Sequence, residues 1–244
     1  MERYNVLGTK VSKTNINDCV SYFLKNMNRA KNSYVCCANV HTVITAYDDK
    51  SYQNILNDSF ITLPDGGPIA REANKQGIKK VSKISGVDFF ENVLNNTQTS
   101  NIRHFFYGTT KENIEKLIEK IRKKYPDLII SGYEPSLFRD LFEDEIQELR
   151  EKIRKTKTDI VWVAIGAPKQ ELFCARVCQN TNACFVAVGG AFNVVAGITP
   201  RAPKWMRDHS LEWFYRFIKE PRRLFMRYIK TNTRYLFLMG KNRK

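Results

Sequence analysis

Asp65 is the acidic side chain best placed for chemistry in this 244-residue chain. It follows the apolar run Ile61-Thr62-Leu63-Pro64 and precedes Gly66-Gly67-Pro68, so a single carboxylate sits where a strand stops and the backbone turns. The two glycines make that backbone permissive, and Gly66 would line a ligand's approach to the carboxylate. The alternative is a turn aspartate that bonds its own backbone. A second polar group, Asn39, His41 and Thr42, follows the apolar run Ser33 to Ala38 where a strand hands over to a helix. These side chains read as substrate contacts, with helix capping as the alternative for Asn39 and Thr42. Gly108, Gly166 and the pair Gly189-Gly190 each close an apolar run ahead of a helix, and such turns leave backbone N–H groups free to hold phosphate.

The hydrophobic pattern supplies the elements that position these groups. Tyr4 to Val11 reads as a strand or a pair of strands, and Asn15 to Ala30 as an amphipathic helix with Ile16, Val20, Phe23, Leu24 and Met27 on one stripe. After Asn39 a helix carries Val43, Ile44, Ala46 and Tyr47; a further helix starts near Ile69, and another runs through Phe89, Phe90, Val93 and Leu94. From Arg103 the alternation is regular. Strands Arg103 to Tyr107, Leu128 to Ser131, Asp159 to Ile165 and Cys184 to Val188 alternate with helices Glu112 to Lys124, Phe142 to Lys155 and one that follows Pro168. Alternating strands and helices predict an α/β fold with an open, mostly parallel, Rossmann-like sheet and helices on both faces. In such a sheet ligands bind beyond the carboxyl ends of the strands, where Asn39, Asp65 and the glycine turns lie.

Several chemistries are set aside. The chain has no G-x-G-x-x-G after its first strand, no P-loop and no G-x-S-x-G elbow. His41, His104 and His209 lack metal-binding spacing, and the acids Glu143-Asp144-Glu145 read as a solvated first turn that complements the helix dipole. No Asp-x-Asp occurs, so diphosphate would be neutralised by Arg, Lys and backbone N–H rather than by a metal ion. No cofactor is expected. The six cysteines lack C-x-x-C spacing and read as buried free thiols. With no spanning segment and no signal peptide, the expected place is the cytoplasm.

The net charge of +15 is uneven, because residues 201–244 alone carry +10. Two prolines in Thr199-Pro200-Arg201-Ala202-Pro203 mark a boundary, giving a catalytic unit over 1–200 and a basic helical appendage over 201–244. In the appendage Leu211, Trp213, Phe214, Phe217 and Ile218, and beyond the Glu220-Pro221 break Leu224 to Met239, alternate with Arg and Lys at helical spacing. That pattern fits an anionic membrane surface. Packing against the sheet unit or a second copy in a homo-oligomer is the alternative. A basic α/β module binding nucleic acid or another polyanion is the competing class, but no nucleic-acid recognition motif is present, so no nucleic-acid partner is expected.

The segments Leu63-Pro64-Asp65-Gly66, Ser85-Gly86-Val87-Asp88, Gly166-Ala167-Pro168-Lys169-Gln170-Glu171, Gly189-Gly190-Ala191-Phe192, Arg201-Ala202-Pro203-Lys204-Trp205-Met206, Leu211-Glu212-Trp213 and Glu220-Pro221-Arg222-Arg223 together resemble the WecG/TagA/CpsF family, glycosyltransferase family 26. The resemblance covers about Asn5 to Ile229. It implies an inverting, metal-independent transfer of a sugar, of the N-acetylmannosamine type or a related hexose, from a UDP-sugar to a lipid diphosphate-linked sugar. The setting would be the inner face of the cell membrane, in assembly of a cell-surface polysaccharide or teichoic acid. The family's proposed base falls on Asp65, and an inverting displacement does need one base and some positive charge for the departing UDP. On this resemblance Lys169, Gln170 and the turns at Gly108, Gly166 and Gly189-Gly190 are nucleotide-sugar contacts, and Arg201, Arg216, Arg222 and Arg223 face the diphosphates. Three positions depart from relatives: Cys37 for threonine, Lys83 for arginine and Asn193 for aspartate. Lys83 keeps the charge for phosphate but loses the guanidinium fork.

Overall fold

The computed structural model describes residues 1–219 and 221–241. Glu220 of the expected Glu220-Pro221 break and residues 242–244 of the appendage lie outside them. The hairpin β1 (Arg3–Val6) and β2 (Thr9–Ser12) comes first, then α1 (Ile16–Lys25), α2 (Met27–Ala30) and β3 (Ser33–Ala38). Next are α3 (Val40–Asp48), α4 (Lys50–Asp58), β4 (Ile61–Pro64), α5 (Gly67–Lys75) and α6 (Gly86–Thr97). The second half alternates: β5 (Arg103–Gly108), α7 (Lys111–Lys124), β6 (Ile129–Glu134), α8 (Glu143–Lys155), β7 (Ile160–Ala164), α9 (Lys169–Val177), β8 (Cys184–Ala187) and α10 (Ala191–Val195). Beyond residue 200 lie α11 (Lys204–Asp208), α12 (Glu212–Lys219) and α13 (Pro221–Lys241).

Strands β3 to β8 form one six-stranded sheet in the order β4-β3-β8-β7-β5-β6, and every pairing is parallel. The expected α/β architecture is therefore present. Strands β4, β7 and β8 are buried along their whole length because helices cover both faces, which is why they read as continuous apolar runs. On one face Phe23, Phe89, Phe90, Leu117 and Phe192 pack against Phe106, Trp162 and Val186. On the other, Tyr52, Leu56, Leu149 and Val177 pack against Tyr34, Phe105, Val161 and Phe185. The helices after β3 thus cover one face and α10 after β8 covers the other, which makes the carboxyl ends of these two neighbouring strands the switch point where open parallel sheets form a ligand crevice.

Local chemistry explains where the elements differ from expectation. The helix expected over Asn15 to Ala30 is split at Asn26, whose side chain donates to Tyr22 O at 2.8 Å and ends α1. A helix that the alternation did not reveal, α4, starts where Asp49 accepts from the amides of Ser51 and Tyr52. His104 is a core residue: its Nδ1 accepts from Trp162 Nε1 at 3.0 Å, and burial lowers its pKa to about 3, so the ring is neutral. All six cysteines are free and buried.

The segment after residue 200 lies on the sheet unit. Tyr235 of α13 is 5% exposed and joins Tyr4, Val6, Val43, Ile44 and Ile69 in a third apolar cluster, with Arg234 paired to Asp48. Among the described residues no helix is long and apolar enough to cross a membrane. If α13 is part of the cooperative fold, Tyr235→Ala lowers the unfolding free energy by about 3 kcal/mol in chemical denaturation. An unchanged value would show that α13 contributes no stability.

Candidate active site

The register of β3 against β4 aligns Ala38 with Pro64, so the next residues of the two strands, Asn39 and Asp65, emerge side by side. Asn39 then does two things. Its Oδ1 accepts from Thr42 N at 3.1 Å while Thr42 Oγ1 accepts from Asn39 N at 2.9 Å, a reciprocal cap on α3. With Oδ1 committed to the cap, Nδ2 is left to donate to Asp65 Oδ2 at 3.3 Å. Gly66 follows at φ +97, a conformation a side chain would strain. At Gly67 an added Cβ would stand 2.6 Å from the Cβ of Ser210, so the missing side chain lets the tail lie directly on the Asp65 turn.

A second tie holds the tail there. Lys83 Nζ donates to Glu212 Oε2 at 2.9 Å and to Arg207 O at 3.1 Å, and both ion-pair side chains are 15% exposed. Glu212 also lies 3.9 Å from Arg216, one turn along α12. The tail thereby brings charge to Asp65. Burial pushes the Asp65 carboxyl above the usual aspartate range, opposed by the Arg216 charge, the Asn39 hydrogen bond and Lys83, while Glu212 adds to the rise. A half-buried carboxylate moved toward neutrality in this way is a stronger proton acceptor than a solvated one.

The crevice continues across β8, β7 and β5. Gly166 and Gly189 have positive φ, and at Gly166 and Gly190 an added Cβ would meet nothing within 4 Å. Gln170 is 3% exposed, and its amide reaches to 3.7 Å from where a Gly189 Cβ would stand. Gly108 needs its hydrogen for another reason, since a Cβ there would lie 2.5 Å from Ala164 O. Thr109 Oγ1 donates to Asn193 Oδ1 at 3.3 Å and links the turn after β5 to α10. Beneath this floor, Glu171 is fully buried and its carboxyl is pushed up to about 7 by burial, against lowering hydrogen bonds from Gln170 and Tyr52.

Residues 4–244 match the model of the glycosyl transferase WecG/TagA/CpsF family. The chain belongs to that family. It is similar to an N-acetylglucosaminyldiphosphoundecaprenol N-acetyl-beta-D-mannosaminyltransferase of Bacillus subtilis, 30% identical over 210 residues that cover 85% of this chain and 80% of the relative. A protein of the same name from Bacillus spizizenii is 30% identical over 198 residues, 81% of this chain and 75% of that one. Membership makes this chain a glycosyltransferase and directs attention to the strand ends.

Of the residues nominated from sequence, Asp65, Asn39, Gly66 and Lys83 come together at β3 and β4, with Arg216 close enough to act on the Asp65 charge. Gly108, Gly166, exposed Lys169, Gln170, Gly189 and Gly190 line the neighbouring strand ends. His41 is half-buried in the first turn of α3, whereas Thr42 is buried and spends its hydroxyl on the cap and on Cys37 O. Arg201 is drawn to α6, where it pairs with Asp88 and, at 2.5 Å, with Glu91. Arg222 is exposed on α13, and the side chain of Arg223 lies outside those described. Glu212 and Glu171 were not nominated. Both stand in the segments that carry the resemblance, but their distant partners, Tyr52 for Glu171 and Lys83 for Glu212, leave no mark in the sequence around them.

Asp65→Asn should keep the bond to Asn39 while removing a carboxylate that burial disfavours. We therefore expect the variant's thermal midpoint at pH 8 to equal or exceed the native one. The raised pKa makes ionisation a penalty that is complete above the folded-state value and relieved as pH falls through it, so any gain shrinks as pH falls toward the ordinary aspartate range. A lower midpoint at pH 8 would contradict the electrostatic description.

Proposed function

We propose that this protein transfers N-acetylmannosamine from a UDP-sugar to N-acetylglucosamine carried on a lipid diphosphate, inverting the anomeric centre, with Asp65 as general base and no metal ion. The observation that carries the chemistry is Asp65 itself, raised by burial, hydrogen-bonded by Asn39 and bordered by Arg216 and Lys83. The names of the two Bacillus relatives support the sugars. In the proposed step the acceptor hydroxyl gives its proton to Asp65 as its oxygen bonds to the anomeric carbon. The bond from that carbon to the phosphate oxygen breaks on the opposite side, and UDP leaves with the electron pair. Arg216 and Arg222, with N–H groups of the Gly166 and Gly189-Gly190 turns, would take up the charge that develops on the diphosphate. Lys169 and Gln170 would hold the nucleotide sugar.

The acceptor is a lipid, and the tail suits its surface. Ile218, Phe225, Met226, Ile229, Leu236 and Phe237 are exposed large apolar side chains on α12 and α13, set among exposed Arg216, Lys219, Arg222 and Lys230. In this reading that face lies on anionic lipid and places the crevice against the acceptor's headgroup, in assembly of a cell-surface polymer.

Asp65→Asn is expected to lower kcat by about 10²- to 10⁴-fold in a transfer assay with UDP-N-acetylmannosamine and a lipid diphosphate acceptor. Native activity should persist in EDTA. Near-native turnover of the variant would refute the base assignment, and loss in EDTA the metal-free step. For the surface, Phe225→Ser combined with Phe237→Ser should abolish co-sedimentation with vesicles rich in phosphatidylglycerol while leaving the thermal midpoint in place. Undiminished sedimentation would remove the tail from membrane contact.

A further inference from the structure

Gln170 and Glu171 stand at the start of α9, directly below the turn after β8, and their side chains are bonded to each other. Gln170 Nε2 donates to Glu171 Oε1 at 2.8 Å, and the hydroxyl of Tyr52, 1% exposed on α4, donates to Glu171 Oε2 at 3.1 Å. An ionised carboxylate only accepts hydrogen bonds, so it dictates which end of the neighbouring amide it meets. With Glu171 ionised, the NH₂ end of Gln170 is the end that meets it, which leaves Oε1 without a share in that bond. That oxygen is buried and has no hydrogen-bond partner among the described residues. The amide lies at the Gly189 turn, with Oε1 3.7 Å and Nε2 3.8 Å from the position of an absent Cβ, and of the two only Nε2 is engaged by Glu171. A buried carbonyl without a donor is unfavourable, and a ligand bound at these strand ends can supply one.

We propose that Glu171, held by Tyr52, is a positioning residue that fixes Gln170 with its carbonyl oxygen toward the crevice, where it accepts from an N–H group of the donor substrate. This rests on the crevice being the nucleotide-sugar site. Two parts of such a donor carry an N–H of this kind: the imide of a uracil base and the acetamido group of an N-acetylated sugar. A cytosine has a lone pair where uracil has its imide proton, and a plain hexose has no amide. Reading one of these groups with a pre-set acceptor makes the selectivity one of hydrogen-bond polarity rather than of size.

The test is titration calorimetry at pH 8, above the value near 7 to which burial raises Glu171, with UDP, CDP, UDP-N-acetylglucosamine and UDP-glucose on the native protein and on Glu171→Gln. The variant is isosteric, but its amide can both donate and accept, so the Gln170 amide is free to turn over. A uracil contact predicts that the native preference for UDP over CDP falls about tenfold in Glu171→Gln, with CDP affinity little changed. An acetamido contact predicts the same fall for UDP-N-acetylglucosamine over UDP-glucose. A purely structural role for Glu171 would weaken all four ligands alike, and that result, or unchanged preferences, overturns the proposal. Absence of any uridine-ligand binding by the native protein would overturn the nucleotide-sugar reading and this proposal together. Gln170→Met keeps the length and removes the amide. It must abolish the same preference, and if it does not, the proposal fails whether or not Glu171→Gln folds.

Discussion

The pairing of β3 with β4 is the constraint on which the crevice depends. Two parallel strands in register end together, and their next residues must be neighbours; here these are an amide and a carboxylate. Asn39 cannot turn its oxygen to Asp65, because that oxygen holds the first turn of α3. A backbone requirement, the capping of a helix, thus decides the polarity of a contact to the candidate base. The same logic recurs at Glu171, where a buried carboxylate decides which way a glutamine amide points. In both places the group facing the crevice is set by a partner behind it.

The tail supplies what the sheet lacks. The ends of β3 and β4 hold Asp65 with one hydrogen bond, and the lowering charges come from Arg216 on α12 of the tail and from Lys83, which lies between α5 and α6 and reaches across to Glu212. A lysine suits that role as a single strongly hydrated charge with several donors, and it divides them between a carboxylate and the Arg207 carbonyl. Such an arrangement holds ionisable groups partly out of water, at a cost in stability that functional sites commonly carry. Its completeness depends on the tail staying docked, through Ser210 on Gly67 and Tyr235 in the hairpin cluster.

The parallel sheet was legible because strands buried on both faces leave continuous apolar runs, and β3 spans Ser33 to Ala38 as expected. Asp65 was legible because Pro64 and two glycines stop the run beside it. α4 was not, since a helix directly following a helix breaks the strand-helix rhythm that guided the reading. Charge counts treated every tail arginine as free, whereas Arg201 is neutralised by Asp88 and Glu91, more than a hundred positions away. Lys83 and Glu212 are 129 positions apart, and nothing in either neighbourhood announces the pair. The family resemblance pointed to the same strand ends as the strand-helix alternation. Pairings between distant elements required the folded chain.

The measurement that bears most directly on this account is the pH dependence of kcat/KM for the native protein and for Asn39→Ala. Burial holds the Asp65 carboxyl above the usual aspartate range and the Asn39 hydrogen bond pulls it down. The account predicts an acidic limb above pH 4 in the native protein, displaced to higher pH once the Asn39 donor is gone. An acidic limb at the same pH in both proteins would show that the amide fixed beside Asp65 does not tune the group that takes the proton.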